Sequence, residues 1–72
     1  MAKCRIRNNI RKLRFERDEM TQKQLAEKVG VTRQTIVAIE NAKYSPSLEL
    51  AFLIANAFER PLQEVFSFEA DS

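Results

Sequence analysis

The sequence predicts an all-α domain of five short helices, with chain ends suited to a small two-stranded antiparallel ribbon. Three observations carry that expectation. Apolar residues recur at three- and four-residue spacings along most of the 72-residue chain. One glycine and two prolines stand only at breaks in that pattern. The ends, Cys4-Arg5-Ile6-Arg7 and Phe66-Ser67-Phe68-Glu69, alternate apolar and polar at the period of a strand. Frayed ends would carry the same alternation. A two-stranded ribbon is marginal alone and needs the helices or a partner beneath it.

In the first helix Ile6, Ile10, Leu13 and Arg17 share one face, at spacings of four, three and four. Asn8 or Asn9 suits its N-cap, with Ile6 packing against the first turn. Phe15 lies off that stripe and needs another neighbour. Thr21 followed by Gln24 is a capping-box start for the second helix, whose short apolar face is Leu25, Ala26 and Val29. Gly30 suits a left-handed cap. Thr32 then caps a third helix, carrying Ile36 and Ile39 and running to about Asn41. Pro46 is expected in the first turn of a fourth helix, with Ser45 as its cap. From Leu48 to Phe58 only Glu49 and Asn56 are polar, so this helix needs cover on most sides. A chain of this size cannot easily supply that cover, which implies a second chain. Pro61 opens a fifth helix, Leu62 to Phe66.

Composition restricts what such a domain does. Residues 1–72 read as one domain near the lower size limit for a self-sufficient core. With one Cys and no His there is no internal disulfide and no Cys/His metal site. There is also no histidine for general-base work, and a lone glycine cannot form a phosphate-binding loop. The chain is therefore not expected to be an enzyme or to carry a cofactor or metal, and no small-molecule ligand is evident. Cys4 suits an apolar packing role better than a redox one, although its basic neighbours would lower its pKa. No targeting segment is visible, and the most apolar stretch, 11 residues from Leu48 to Phe58 with Glu49 inside it, is too short to span a membrane. The expected location is cytoplasmic, in a prokaryotic cytosol or nucleoid. The net charge of +2 hides a division: residues 1–17 hold seven Lys/Arg and one Glu, whereas residues 18–72 hold five Lys/Arg and nine Asp/Glu. A basic front suits an acidic polymer, and equally a solvated helix face.

Residues 22–41 carry the function. Two short helices joined at a single glycine bring their axes close, with the small Ala26 at the crossing and Leu25, Val29, Val31, Ile36 and Ile39 filling the angle. That arrangement is a helix-turn-helix. The apolar set leaves Arg33, Gln34, Val37 and Ala38 outward on its second helix. Arg forms two parallel hydrogen bonds with guanine, Gln with adenine, and an aliphatic side chain meets the thymine methyl. Gln22 and Thr32, at helix N-termini, suit phosphates, and Lys43 and Tyr44 suit the adjacent backbone.

The stretches LRFERDEMTQKQLAEKVGVTRQTIVAIENAKYSPSLELAFLIA and PLQEVF resemble the phage-repressor (Cro/cI), or xenobiotic-response-element, family of helix-turn-helix regulators, over about residues 8–66. The likeness is strongest to small dimeric members such as the cytolysin operon repressor, which pair a helical bundle with a terminal ribbon. It implies a five-helix lambda-repressor-like DNA-binding domain. By the same likeness Gln22, Thr32, Arg33, Gln34 and Thr35 fall on DNA-contacting positions, with Asn41, Lys43, Tyr44 and Ser45 near the phosphates. Arg14 and Glu40 match the pair that ties the first helix to the end of the recognition helix. Leu62 and Val65 match dimer-forming positions, and Phe66 joins that face. Two departures stand out. The family often has Gly where Ala42 and Glu59 stand, and there is one residue more than in the phage proteins between Leu13-Arg14 and Thr21-Gln22.

The expected function is a sequence-specific regulator that binds double-stranded DNA as a homodimer on a palindromic operator and represses by occlusion. The rival from another class is a protein-interaction module of antitoxin type, holding its partner through the fourth and fifth helices.

Overall fold

A computed structural model describes residues 5–69. In chain order the elements are β1 (Ile6–Asn8), α1 (Ile10–Glu16), α2 (Gln22–Val29), α3 (Arg33–Glu40), α4 (Leu48–Phe58), α5 (Leu62–Val65) and β2 (Phe66–Phe68). The predicted fold class and the terminal ribbon are both present. Cys4 and Asp71 lie outside the described residues.

The core is built from the predicted periodic positions. Ile10, Leu25, Ile36, Ile39, Ile54, Phe58 and Val65 are almost fully buried, and Leu13, Ala26, Val29, Leu50, Ala55 and Ala57 complete the cluster. Each large side chain buried in this set contributes roughly 1.5–3 kcal/mol. α4 contributes Leu50, Ala51, Ile54, Ala55, Ala57 and Phe58 to the interior. Its other face leaves Leu48 68%, Phe52 49% and Leu53 42% exposed, so a single chain does leave this helix partly uncovered.

β1 and β2 pair antiparallel with Ile6 opposite Phe68, Arg7 opposite Ser67 and Asn8 opposite Phe66. The ribbon is anchored rather than frayed. Phe66 packs on the core, the Asn9 amide donates to the Val65 carbonyl at 2.9 Å, and Arg7 pairs with Glu69. The Asn8 side chain donates to the Ile39 carbonyl at 2.8 Å and accepts from the Ile10 amide at 3.1 Å. One side chain thus joins the ribbon, the start of α1 and the end of α3.

Three local expectations are corrected, and the choice left open between Asn8 and Asn9 is resolved. Ile6 belongs to β1 and Arg17 follows α1 as its C-cap, so the helical stripe is shorter than its spacing suggests. Asn9 occupies the N-cap position without a side-chain cap bond, and Asn8 supplies the oxygen instead. α4 starts two residues later than expected: the hydroxyl of Ser47, not Ser45, accepts from the Leu50 amide at 3.1 Å, and Pro46 lies outside the helix. Phe66 leaves α5 with extended φ −125° and ψ 146° and enters β2.

Both departures from the family pattern have a visible consequence. The turn between α1 and α2 takes two consecutive left-handed residues, Asp18 (φ 57°) and Glu19 (φ 56°), before the Met20 amide closes on the Arg14 carbonyl at 2.9 Å. The extra residue is accommodated in that turn. Ala42 (φ 58°) and Glu59 (φ 57°) occupy left-handed positions that close α3 and α4. There a Cβ costs roughly 1–2 kcal/mol relative to glycine.

Candidate nucleic-acid interface

The helix pair is set by its caps. The Thr21 hydroxyl accepts from the Gln24 amide at 3.0 Å, and the Gln24 side-chain oxygen accepts from the Thr21 amide at 2.8 Å, completing the capping box. Gly30 ends α2 at φ 82° and ψ 31°, with its own amide and that of Val31 on the Ala26 carbonyl at 2.9 and 3.0 Å. Two residues on, the Thr32 hydroxyl accepts from the Thr35 amide at 3.2 Å and opens α3. Ala26 is buried at this junction together with Leu25, Val29, Ile36 and Ile39, and α2 packs on both α3 and α4.

Burial of Ile36 and Ile39 turns the rest of α3 outward. Arg33 and Gln34 in its first turn are exposed, whereas Val37 and Ala38 are half-buried. Thr32 and Thr35 share a hydroxyl–hydroxyl hydrogen bond of 3.0 Å at the helix start. Beyond the far end Asn41, Lys43, Tyr44 and Ser45 are all exposed. The Ala42 and Lys43 amides close on the Ile39 and Ala38 carbonyls, both at 3.0 Å, which holds that loop against α3.

A polar cluster ties α1 to this unit. Arg14 donates through Nε to Glu40 Oε2 at 2.7 Å, through Nη2 to Glu40 Oε1 at 3.2 Å and through Nη1 to the Met20 carbonyl at 2.8 Å. Gln22 Nε2 donates to Glu40 Oε1 at 3.2 Å. The Glu40 side chain is only 8% exposed and that of Arg14 16%. The carboxylate is therefore partnered by both groups, and the Gln22 side chain is oriented by the end of α3. The Arg14–Glu40 contact expected from the family likeness is formed despite the longer turn.

A helix-turn-helix family model matches residues 10–65. The chain belongs to the helix-turn-helix family of phage-repressor, or xenobiotic-response-element, type. An uncharacterised helix-turn-helix-type transcriptional regulator of Methanocaldococcus jannaschii is 50% identical over 62 residues, covering 83% of this chain and 94% of that protein. An uncharacterised helix-turn-helix-type transcriptional regulator of Bacillus subtilis, YgzD, is 43% identical over 67 residues, covering 93% of this chain and all of the relative. Among solved structures, a crystal structure of a candidate DNA-binding protein from Bacteroides fragilis superposes with a TM-score of 0.75, over 86% of this chain and 98% of that one. At 24% identity that likeness speaks to the fold alone.

The expected dimer residues are placed unevenly in this helix-turn-helix chain. Leu62 and Phe66 are half-buried and keep some surface. Val65 is fully buried in the chain's own core, so it offers no surface and supports the face from beneath. The larger apolar area lies on α4, at Leu48, Phe52 and Leu53. Sequence periodicity also gave no role to Arg11, Lys12, Phe15 and Lys23. With Gln22, Arg33 and Asn41 they line one open groove of about 1120 Å³ between α1, the start of α2 and both ends of α3.

Proposed function

We propose that this chain is a sequence-specific, double-stranded-DNA-binding transcriptional regulator that acts as a homodimer and represses by occluding its operator. The observation that carries the reading is the exposure of Arg33 and Gln34, side by side in the first turn of α3, on a helix pair locked by two caps and a left-handed glycine. Arg33 reads guanine and Gln34 adenine through paired hydrogen bonds in the major groove, and Val37 lies beside a thymine methyl. Gln22, Thr32 and Thr35 with the first amides of α2 and α3 hold one phosphate strand, and Asn41, Lys43, Tyr44 and Ser45 the other. Its work is binding, not catalysis, carried out in a prokaryotic cytosol or nucleoid.

The uncovered apolar surface supports the homodimer. Leu48, Phe52 and Leu53 of α4, with Leu62, Phe66 and Phe68, form the partner-facing set. A two-fold axis there presents two α3 helices to successive major grooves, about 34 Å apart on a palindrome. The same apolar surface is the one observation that favours the rival reading, capture of a different protein.

The double variant Arg33→Ala/Gln34→Ala separates the two. A DNA reader loses its operator preference and still dimerises; a partner-binding module is indifferent to both changes. Unchanged sequence preference in gel-shift titrations of the variant overturns the proposed readout.

A further inference from the structure

We infer that α1 is a second DNA-contacting element, gripping the sugar–phosphate backbone beside the reading helix through Arg11, Lys12 and Phe15. The inference rests on the DNA-binding reading and extends it to residues outside the helix-turn-helix. Phe15 is the most exposed large apolar side chain among the described residues, at 71%. It lines the groove, one helical turn from Arg11 and Lys12. Among the described residues, Arg11, Lys12, Lys23 and Arg33 have no ion-pair partner. Of the two acidic residues lining the groove, Glu40 is already held by Arg14 and Gln22, leaving Glu19 as the unpaired one. The groove thus offers a surplus of uncommitted positive charge around one apolar ring.

Charge and continuity select the occupant. The groove is shared with Gln22, Arg33 and Asn41, so a duplex held by α3 brings a phosphate strand to its mouth. Long cationic side chains at Arg11 and Lys12 reach phosphates without reading sequence. The ring of Phe15 covers the apolar face of a deoxyribose between them, and water leaves both surfaces. An acidic protein segment meets the same charges, but it would compete with the duplex for residues that α3 and α2 present to DNA.

The test uses the full chain and two 40-base-pair duplexes, one of random sequence and one recovered from a random pool by selection. Binding is measured between 50 and 200 mM KCl. Each phosphate that the protein no longer neutralises lowers the slope of log affinity against log salt by about 0.9. Arg11→Ala/Lys12→Ala is expected to lower it by about 1.8 per protomer on both duplexes alike, leaving the preferred sequence unchanged. Phe15→Ala is expected to weaken both by about fivefold with the slope intact, and Phe15→Leu to recover most of that affinity. All three side chains are exposed, so an unchanged thermal midpoint checks that the variants fold. An unaltered slope in the double variant overturns the phosphate grip. Wild-type affinity in Phe15→Ala overturns the role of the ring. If the wild-type chain binds neither duplex, the DNA reading itself fails; Arg33→Ala/Gln34→Ala losing preference while Arg11→Ala/Lys12→Ala keeps the full slope condemns only the α1 inference.

Discussion

Breaking the Arg14–Glu40 pair by removing Arg14 should destabilise the chain far more than breaking any other ion pair among the described residues. Its partner Glu40 has a side chain 8% exposed, against 44–77% for the acidic partners of Arg7, Arg17 and Arg60 at Glu69, Glu59, Glu16 and Glu64. Exposed pairs contribute about 0–1 kcal/mol. Breaking a buried pair from one side costs about 3–5 kcal/mol, because the remaining charge stays desolvated. Gln22 still donates to Glu40 Oε1 after the change, which places Arg14→Ala at the lower end, about 3 kcal/mol. A domain of this length has about 4–11 kcal/mol in total, so the loss is a large share of it. Urea unfolding followed by circular dichroism gives the number, with an unchanged m-value as the check on two-state behaviour. The double variant Arg14→Met/Glu40→Leu should return to within about 1 kcal/mol of wild type, since neither charge is then buried alone. A loss under about 1 kcal/mol in Arg14→Ala would refute the argument, because it would mean that water reaches Glu40 freely.

Three further outcomes follow from the geometry. Ala42→Gly should raise stability by about 1 kcal/mol by relieving a left-handed Cβ; Glu59→Gly should gain less, since it also gives up the exposed contact with Arg17. Thermal midpoints 4–8 °C higher per kcal/mol are the readout, at roughly the scale of a small domain. Gly30→Ala should cost about 1 kcal/mol although nothing lies within 4 Å of the added Cβ, because φ of +82° is the obstacle rather than space; an unchanged midpoint would contradict that. Phe52→Glu/Leu53→Glu should shift sedimentation toward the monomer without unfolding the chain, both side chains being exposed at 49% and 42%. A dimer that survives both charges would move the interface elsewhere.

The central unit was readable residue by residue because its determinants are local. Thr21 with Gln24, Gly30, and Thr32 act on amides one turn away, and each does in the fold what its position implied. The ribbon was also legible, since alternation at both ends points to the same pairing. Errors arose where two local solutions compete. Ser45 and Ser47 flank Pro46 and either hydroxyl suits a cap; the chain uses the later one. Ile6 keeps helical spacing with Ile10 only because a strand runs almost directly into α1. Other features depend on the assembled fold. Val65 matches a dimer-forming position by the family likeness, yet it is fully buried in the chain's own core. The two left-handed residues at Asp18 and Glu19 carry no glycine to announce them. Phe15 falls off the apolar stripe, and only the packed helices bring it to one groove with Arg33 and Gln22.

Selection of bound duplexes from a random pool with the full chain tests the central claim most directly. A homodimeric reader whose two α3 helices enter successive major grooves should return a palindrome with half-sites centred about 10–10.5 base pairs apart. Repeating the selection with Arg33→Ala should relax a guanine in each half-site and leave the spacing intact. Recovery of no common sequence, or of the same guanines after Arg33 is removed, would contradict the account.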